Sequence, residues 1–341
     1  MSNNNNALAA IAGGGFVAVM CALLARKQYA NQVAKVREEV ERAVAQQTAG
    51  GKSERQSMRG KVVVVTGASS GIGKAIARAF HQQGALVAIG ARRMERLEEL
   101  SKESGDSSRM LPVKTDVTNA ASIQRLVDKA EDAFCSGVDV LVNVAGVMYF
   151  TLMKNCQTDE WNRTVDVNCK GVMNGFAAVL PGMVSRGKGH IITISSDAGR
   201  RVFPSLAVYC ASKYFVEALS EATRRELIGT GLRVTTIQPG DCATDLGKYL
   251  LCTVIPTATL FFFLFLLTHT HHVLPFPVRE NTDKEALDAL EIKAGAVVGE
   301  GWGNKWNVLK PEDVADSVLY AATAPAHVAV NEVLVEPRDQ A

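Results

Sequence analysis

The chain is 341 residues long, 47% of them hydrophobic and 21% charged, with a formal net charge of +2. That length and apolar content allow one large buried core or two small ones. So mild a positive balance excludes nucleic acid as the default partner.

From Ala7 to Ala25 there is no charged side chain. As a helix, such a run is just long enough to cross a bilayer, which takes about 20 residues. Arg26 and Lys27 follow at once, whereas Met1–Asn6 carry no basic residue. The positive-inside tendency therefore puts the rest of the chain on the cytoplasmic side. Residues 1–27 are expected to form a single-pass, N-terminal transmembrane anchor, with the endoplasmic reticulum one candidate membrane; a cleaved signal and a buried helix are the alternatives. Residues 28–60 read as a charged helical stalk, with Val33, Val36, Val40 and Val44 at three- and four-residue steps, followed by a polar linker from Thr48 to Gly60.

From Lys61 the texture changes. Apolar runs at Val62–Val65, Leu86–Ile89, Val138–Val142, His190–Ile194 and Leu232–Ile237 alternate with amphipathic stretches of helical period. Runs apolar at every position are what strands buried on both faces look like, as in parallel sheets. The alternation predicts an α/β fold, a doubly wound parallel sheet of Rossmann type, forming a single catalytic domain over residues 61–341. The seven cysteines form no C-x-x-C pair and no metal-ligand spacing; they are expected to be reduced packing residues, and no metal site is expected.

The first strand leads directly into Thr66-Gly67-Ala68-Ser69-Ser70-Gly71-Ile72-Gly73, and a helix follows. Glycines there let the backbone approach a pyrophosphate, and a helix N-terminus offers free N–H groups and partial positive charge. A glycine pattern alone is weak, but the strand before it and the helix after it are the confirming context. Downstream, Tyr209-Cys210-Ala211-Ser212-Lys213 is a Y-x-x-x-K motif, with Ser196 thirteen residues before the tyrosine and Asn168 upstream of both.

Together these motifs resemble the short-chain dehydrogenase/reductase superfamily from about Gly60 to Gln340. The resemblance implies an oxidoreductase moving hydride between a nicotinamide and a carbonyl or secondary alcohol, with Asn168, Ser196, Tyr209 and Lys213 as the catalytic set. It implies a cofactor site built from Gly67, Ser69, Ser70, Gly71, Ile72 and Gly73 at the phosphates. Asp116 and Val117 match the pair beside the adenine. Asn143, Ala145 and Gly146 lie at the end of the fourth strand, where the family's second asparagine is here Val144. Pro239, Gly240 and Thr244 match the turn beside the nicotinamide, which Tyr209 and Lys213 also adjoin. Homo-oligomerisation is likewise implied only by the resemblance.

The chemistry fits these residue types. Tyr209 and Lys213 share a helix face at a separation of four, and a nearby ammonium favours a phenolate over a phenol, whose free pKa is about 10. At the end of the second strand, Gly90-Ala91-Arg92-Arg93 has no acid to repel a 2′-phosphate. Ala91 stands at the acidic position, so Arg92, or else Arg93, is expected to bind that phosphate and to select NADP(H). The alternative is a catalytically idle NADP(H)-binding module serving as a membrane-tethered sensor or scaffold; the intact catalytic set weighs against it. The expected partner is a small carbonyl or alcohol, with lipid-like molecules included.

One feature departs from the family. An apolar insertion at about 249–277 includes Phe261-Phe262-Phe263 and ends near His269, His271 and His272. Three readings stay open: a lipid-contacting loop, a substrate lid, or a retained intron read in frame. Both flanks belong to one domain, so a single membrane crossing is topologically forbidden.

Overall fold

The computed structural model describes residues 55–244 and 308–338. All fall in the compact unit Arg55–Ala341. The anchor at 1–27, most of the stalk and the insertion at 249–277, with its three histidines, lie outside the described residues. No helix among the described residues is long and apolar enough to cross a membrane.

Seven strands form one sheet, in the order β3-β2-β1-β4-β5-β6-β7. They are β1 (Val62–Thr66), β2 (Leu86–Ala91), β3 (Met110–Lys114), β4 (Val140–Asn143), β5 (Gly189–Ile194), β6 (Leu232–Pro239) and β7 (Glu332–Val335). Every pairing is parallel. The helices are α1 (Gly71–Gln82), α2 (Met94–Glu103), α3 (Ala120–Phe134), α4 (Thr158–Thr164), α5 (Gly171–Arg186), α6 (Ala207–Glu226) and α7 (Pro311–Ala322). A π-helical stretch, Val165–Lys170, joins α4 to α5.

The apolar strands are apolar because helices cover both faces. In β1, Val63 and Val65 pack with Ile76 and Phe80 of α1 and Val314 and Val318 of α7. Val62 and Val64 turn the other way, to Leu126 of α3, Phe176 of α5 and Val216 of α6. Chain direction across the sheet reverses between β1 and β4. Parallel α/β sheets open a crevice at their carboxyl ends at such a point, and ligands bind there.

The strand positions read from the sequence hold to within two residues at most ends. Two strands it did not single out, β3 and β7, are partly exposed edges: β7 alternates exposed and half-buried residues along Glu332–Val335. Residues 55–60, at the end of the segment read as linker, pack on the domain. Met58 is buried in the α1–α7 core, and Gln56 bonds the Thr323 and Ala324 carbonyls just beyond α7.

Candidate active site

The glycine loop turns between β1 and α1 under tight steric control. Gly67 has φ of +69°, and a methyl group on it would come within 2.8 Å of the Ala145 backbone. A methyl on Gly73 would come within 2.4 Å of the Gly67 carbonyl. These positions therefore press the β1–α1 turn against the segment after β4, leaving backbone rather than side chain facing the crevice. Gly71, at φ +51°, faces Thr244, whose side chain would lie 3.3 Å from an added methyl. Ile72 packs into the core beneath.

Thr66, quoted within the motif but not assigned a role from sequence, ties this loop to β4. Its hydroxyl accepts from the backbone N–H of Val144 at 3.1 Å and of Ala145 at 3.4 Å. Position 144 is thus held through its main chain, while its side chain packs against the core. Losing an asparagine there leaves the path of the strand end intact. Asn143 is buried, close against Gly175 of α5, where a methyl would meet its Oδ1 at 2.4 Å. Gly146 lies beside Asn168.

Asp116 and Val117 follow β3. The Asp116 carboxylate accepts from the Thr118 N–H and hydroxyl. Burial pushes its carboxyl up, but those bonds and the positive charges of Arg163 and Arg92 hold it below the usual range. Val117 is locked to α5: its carbonyl accepts from Asn174. Pro239 ends β6, and the Gly240 N–H donates to the Val335 carbonyl.

The two arginines after β2 behave differently. The Arg93 guanidinium donates to Ser69 at 2.8 Å and to Ser70 at 3.2 Å. It therefore spans from the end of β2 to the glycine loop. Arg92 is exposed and acts electrostatically on Asp116 instead.

The four residues expected to be catalytic converge at the carboxyl ends of β4 and β5. Tyr209 and Lys213, on the first turns of α6, are both buried. The Lys213 ammonium sits 5.6 Å from the Tyr209 ring centroid and donates to the Ile194 carbonyl at the end of β5. Ser196 follows that strand; its hydroxyl accepts from the Ala198 N–H at 3.1 Å and donates to Asp197 at 2.9 Å. Asn168 lies in the π-helical stretch. Its amide bonds the Val147 N–H and carbonyl, each at 2.9 Å, and donates to Ser212 at 3.0 Å. Ser212 is a second residue the sequence reading left without a role, although it stands inside Y-x-x-x-K.

In the protein by itself, burial is the main influence on both members of the pair. Burial pushes Tyr209 up to about 12; a hydrogen bond with Ser196 opposes the rise, and Asp197 and Cys210 add to it. Burial also brings Lys213 down to about 8, against the pull of Glu217 and Cys169. Burial is thus the largest influence on both groups, favouring the neutral phenol and the neutral amine.

Met148, Phe150 and Phe203 pack around Tyr209, Cys210 and Leu206, forming an apolar wall beside the phenol. Burial and the negative charge of Asp197 raise the carboxyl of Asp241. Among the described cysteines none is in a disulfide.

The short chain dehydrogenase family model matches residues 61–252. Over 284 residues the chain is 47% identical to the glycine betaine reductase of Emericella nidulans; the match covers 83% of this chain and 19% of that much longer protein. It is 35% identical to an uncharacterized oxidoreductase of Staphylococcus saprophyticus, covering 83% of this chain and 98% of that one. Among solved structures, a closed form of serine dehydrogenase complexed with NADP+ superposes with a TM-score of 0.64 at 33% identity, over 82% of this chain and 96% of the other. The glycine loop, the parallel sheet and the family match agree: the chain belongs to the short-chain dehydrogenase family.

Proposed function

We propose that the protein is an NADP(H)-dependent carbonyl reductase in which Tyr209 gives its proton to the substrate oxygen. The observation that carries this reading is the convergence of Tyr209, Ser196, Lys213 and Asn168 in one buried cluster at the carboxyl ends of β4 and β5. A phenol that keeps its proton at neutral pH is in the state that carbonyl reduction requires. Ser196, anchored by the Ala198 N–H, lies within hydrogen-bond reach of that phenol and orients the substrate oxygen toward it. Asn168 fixes the segment after β4 to α6 through Val147 and Ser212, and so fixes the floor of the site. The apolar wall excludes water from the reacting centre.

The residues present fit a dinucleotide. The close approach of Gly67 to Ala145 leaves no room for a side chain facing the crevice, and the free N–H groups at the start of α1 suit a pyrophosphate. When bound, the nicotinamide supplies the hydride. Asn143, Ala145, Gly146, Pro239, Gly240 and Thr244 would line it, with Asp116 and Val117 at the adenine.

Arg93, in place of Arg92, is the better-placed ligand for a 2′-phosphate, because it already reaches Ser69 and Ser70. Arg93→Asp is expected to lower the NADPH-to-NADH preference in kcat/KM by roughly 10- to 150-fold, the equivalent of losing a charge-assisted hydrogen bond worth about 1.5–3 kcal/mol. Arg92→Asp should move it much less. Equal effects of the two substitutions would reject the assignment.

The same reading extends to the substrate class. Serine and glycine betaine, for which two similar proteins are named, both carry a cationic nitrogen on the carbon next to an oxygen-bearing carbon. Asp197 beside Ser196, and Asp241 after Gly240, give this site two carboxylates that favour such a cation. The substrate is then a small α-ammonio aldehyde or the matching amino alcohol. With NADPH, betaine aldehyde should be reduced with at least about tenfold higher kcat/KM than its neutral isostere 3,3-dimethylbutanal, a difference of ~1.4 kcal/mol. Equal rates would withdraw the cationic class and leave carbonyl reduction standing. Failure to reduce any aldehyde in a broad panel would end the enzymatic reading.

A further inference from the structure

Beneath the catalytic pair lies a buried polar row, of which only Asn143 has a part in the proposed function, at the nicotinamide. Asn143, Thr193 and Thr236 are register partners across β4, β5 and β6, so they stand side by side on one face of the sheet. That face is otherwise apolar, with Leu141, Ile191 and Val234 two residues earlier on the same strands. Opposite the row, α6 contributes Glu217, one turn beyond Lys213. Thr236 donates to Glu217 Oε2 at 2.9 Å. A methyl on Gly199 would lie 3.0 Å from Ser195 Oγ and 3.1 Å from Glu217 Cγ, which puts both side chains at one spot. Among the described residues, Asn143 Nδ2, Thr193 Oγ1, Ser195 Oγ, Glu217 Oε1 and Ser220 Oγ are buried with no partner in the protein.

Glu217 is half-buried, with Oε2 accepting from Thr236 and Oε1 enclosed without a partner; an apolar side chain there would pack as well and leave no acceptor unpaired. The Lys213 ammonium bonds the Ile194 carbonyl. The two charges stand one helical turn apart on α6 and act on one another through space, the negative charge of Glu217 favouring the charged form of Lys213. Ser195 Oγ, beside Glu217 at Gly199, has no partner in the protein and can donate to the carboxylate through water. We propose that Glu217 is a positioning residue whose carboxylate, held under the active site by Thr236, is the counter-charge that keeps Lys213 an ammonium. This rests on the proposed role of the Tyr209–Lys213 pair.

The other charged and titratable groups packed around the pair are few. Tyr209 and Cys210 come from α6 itself, Cys169 from the π-helical stretch and Asp197 from the turn after β5. Helix α4, which also packs on α6, carries the buried Glu160. Arg200 is engaged by Gln238 and Glu332. Strands β5 and β6 add only hydroxyl, amide and backbone groups beside Glu217.

The test compares Glu217→Gln, Glu217→Met and Glu217→Asp with the parent enzyme. Losing a negative charge lowers the proton affinity of the pair, so the alkaline limb of kcat/KM for carbonyl reduction should move to lower pH by roughly one unit in both neutral variants. Glu217→Asp, which keeps the charge, should stay near the parent. Trace acylation of Lys213 across pH, read by mass spectrometry on cofactor-free protein, should show the same shift without any turnover. That measurement separates this proposal from the proposed reaction: a parent enzyme inactive on every carbonyl leaves the labelling result to decide. Unmoved midpoints in a neutral variant that melts like the parent would overturn the proposal. So would a Glu217→Asp variant shifted as far as Glu217→Gln, because the effect would then follow shape rather than charge.

Discussion

Tyr209→Phe is expected to reduce carbonyl turnover by roughly 10²–10⁴-fold, the usual contribution of a positioned general acid, while NADPH affinity stays near the parent value. The phenyl ring still fills its place against Leu206, Phe150 and Phe203, so packing is preserved. What leaves is the hydroxyl, and with it the proton that Ser196 helps aim at the substrate. The lost hydrogen bond with Ser196 costs little stability, because the serine keeps its bonds to Ala198 and Asp197. Stopped-flow turnover with betaine aldehyde, together with NADPH fluorescence titration, checks both halves. Turnover within tenfold of the parent would remove Tyr209 from the chemistry. Equal loss of turnover and cofactor affinity would instead make it a cofactor-site residue.

The second large effect is expected at Gly67. Gly67→Ala should destabilise the domain by about 2–5 kcal/mol and abolish measurable NADPH binding. Two costs combine. The backbone at φ +69° is left-handed, a region an alanine occupies at a cost of about 1–2 kcal/mol. The new methyl also lies 2.8 Å from the Ala145 backbone, and a clash with main chain cannot be relieved by rotating a side chain. Overpacking of this kind costs about 1–3 kcal/mol. Relief requires moving the β1–α1 turn away from the end of β4, which opens the surface on which a pyrophosphate would rest. Urea melts and cofactor titration test the two parts separately. A variant with parental stability and affinity would show that the loop accommodates a side chain and is no close-approach cradle.

The fold class was legible because its signals are local. Four consecutive valines in β1 must be covered on both faces, and glycines at 67, 71 and 73 followed by a helix set the first turn. The edges were harder. β3 contains Pro112 and ends in Lys114, and β7 alternates exposed glutamate and leucine with half-buried valines. Edge strands lack the continuous apolar run that marks a central one, so the search for such runs does not single them out.

The residues proposed as catalytic were legible for a related reason. Its members stand at fixed separations on single elements, Tyr209 and Lys213 on one helix and Ser196 at the end of one strand. The roles of Thr66 and Ser212 were harder to see. Each is a common residue whose meaning comes from a partner far along the chain, Val144 for one and Asn168 for the other.

By itself, then, the sequence determined the parallel α/β domain, the glycine cradle and the Y-x-x-x-K pair, because period, spacing and steric demand are carried by neighbouring residues. Only the tertiary structure decided which arginine meets the glycine loop, since Arg92 and Arg93 are adjacent and equal in charge, and only the packing of α2 and the loop sends Arg93 to Ser69 and Ser70. It alone also shows how deeply Tyr209 and Lys213 are buried. Spacing puts an ammonium nearby, but the cost of burying charge depends on what surrounds both groups, and burial is the largest influence on each. The polar row that meets Glu217 exists only once β4, β5 and β6 lie in register, because residues 143, 193 and 236 become neighbours through the sheet and not through the chain.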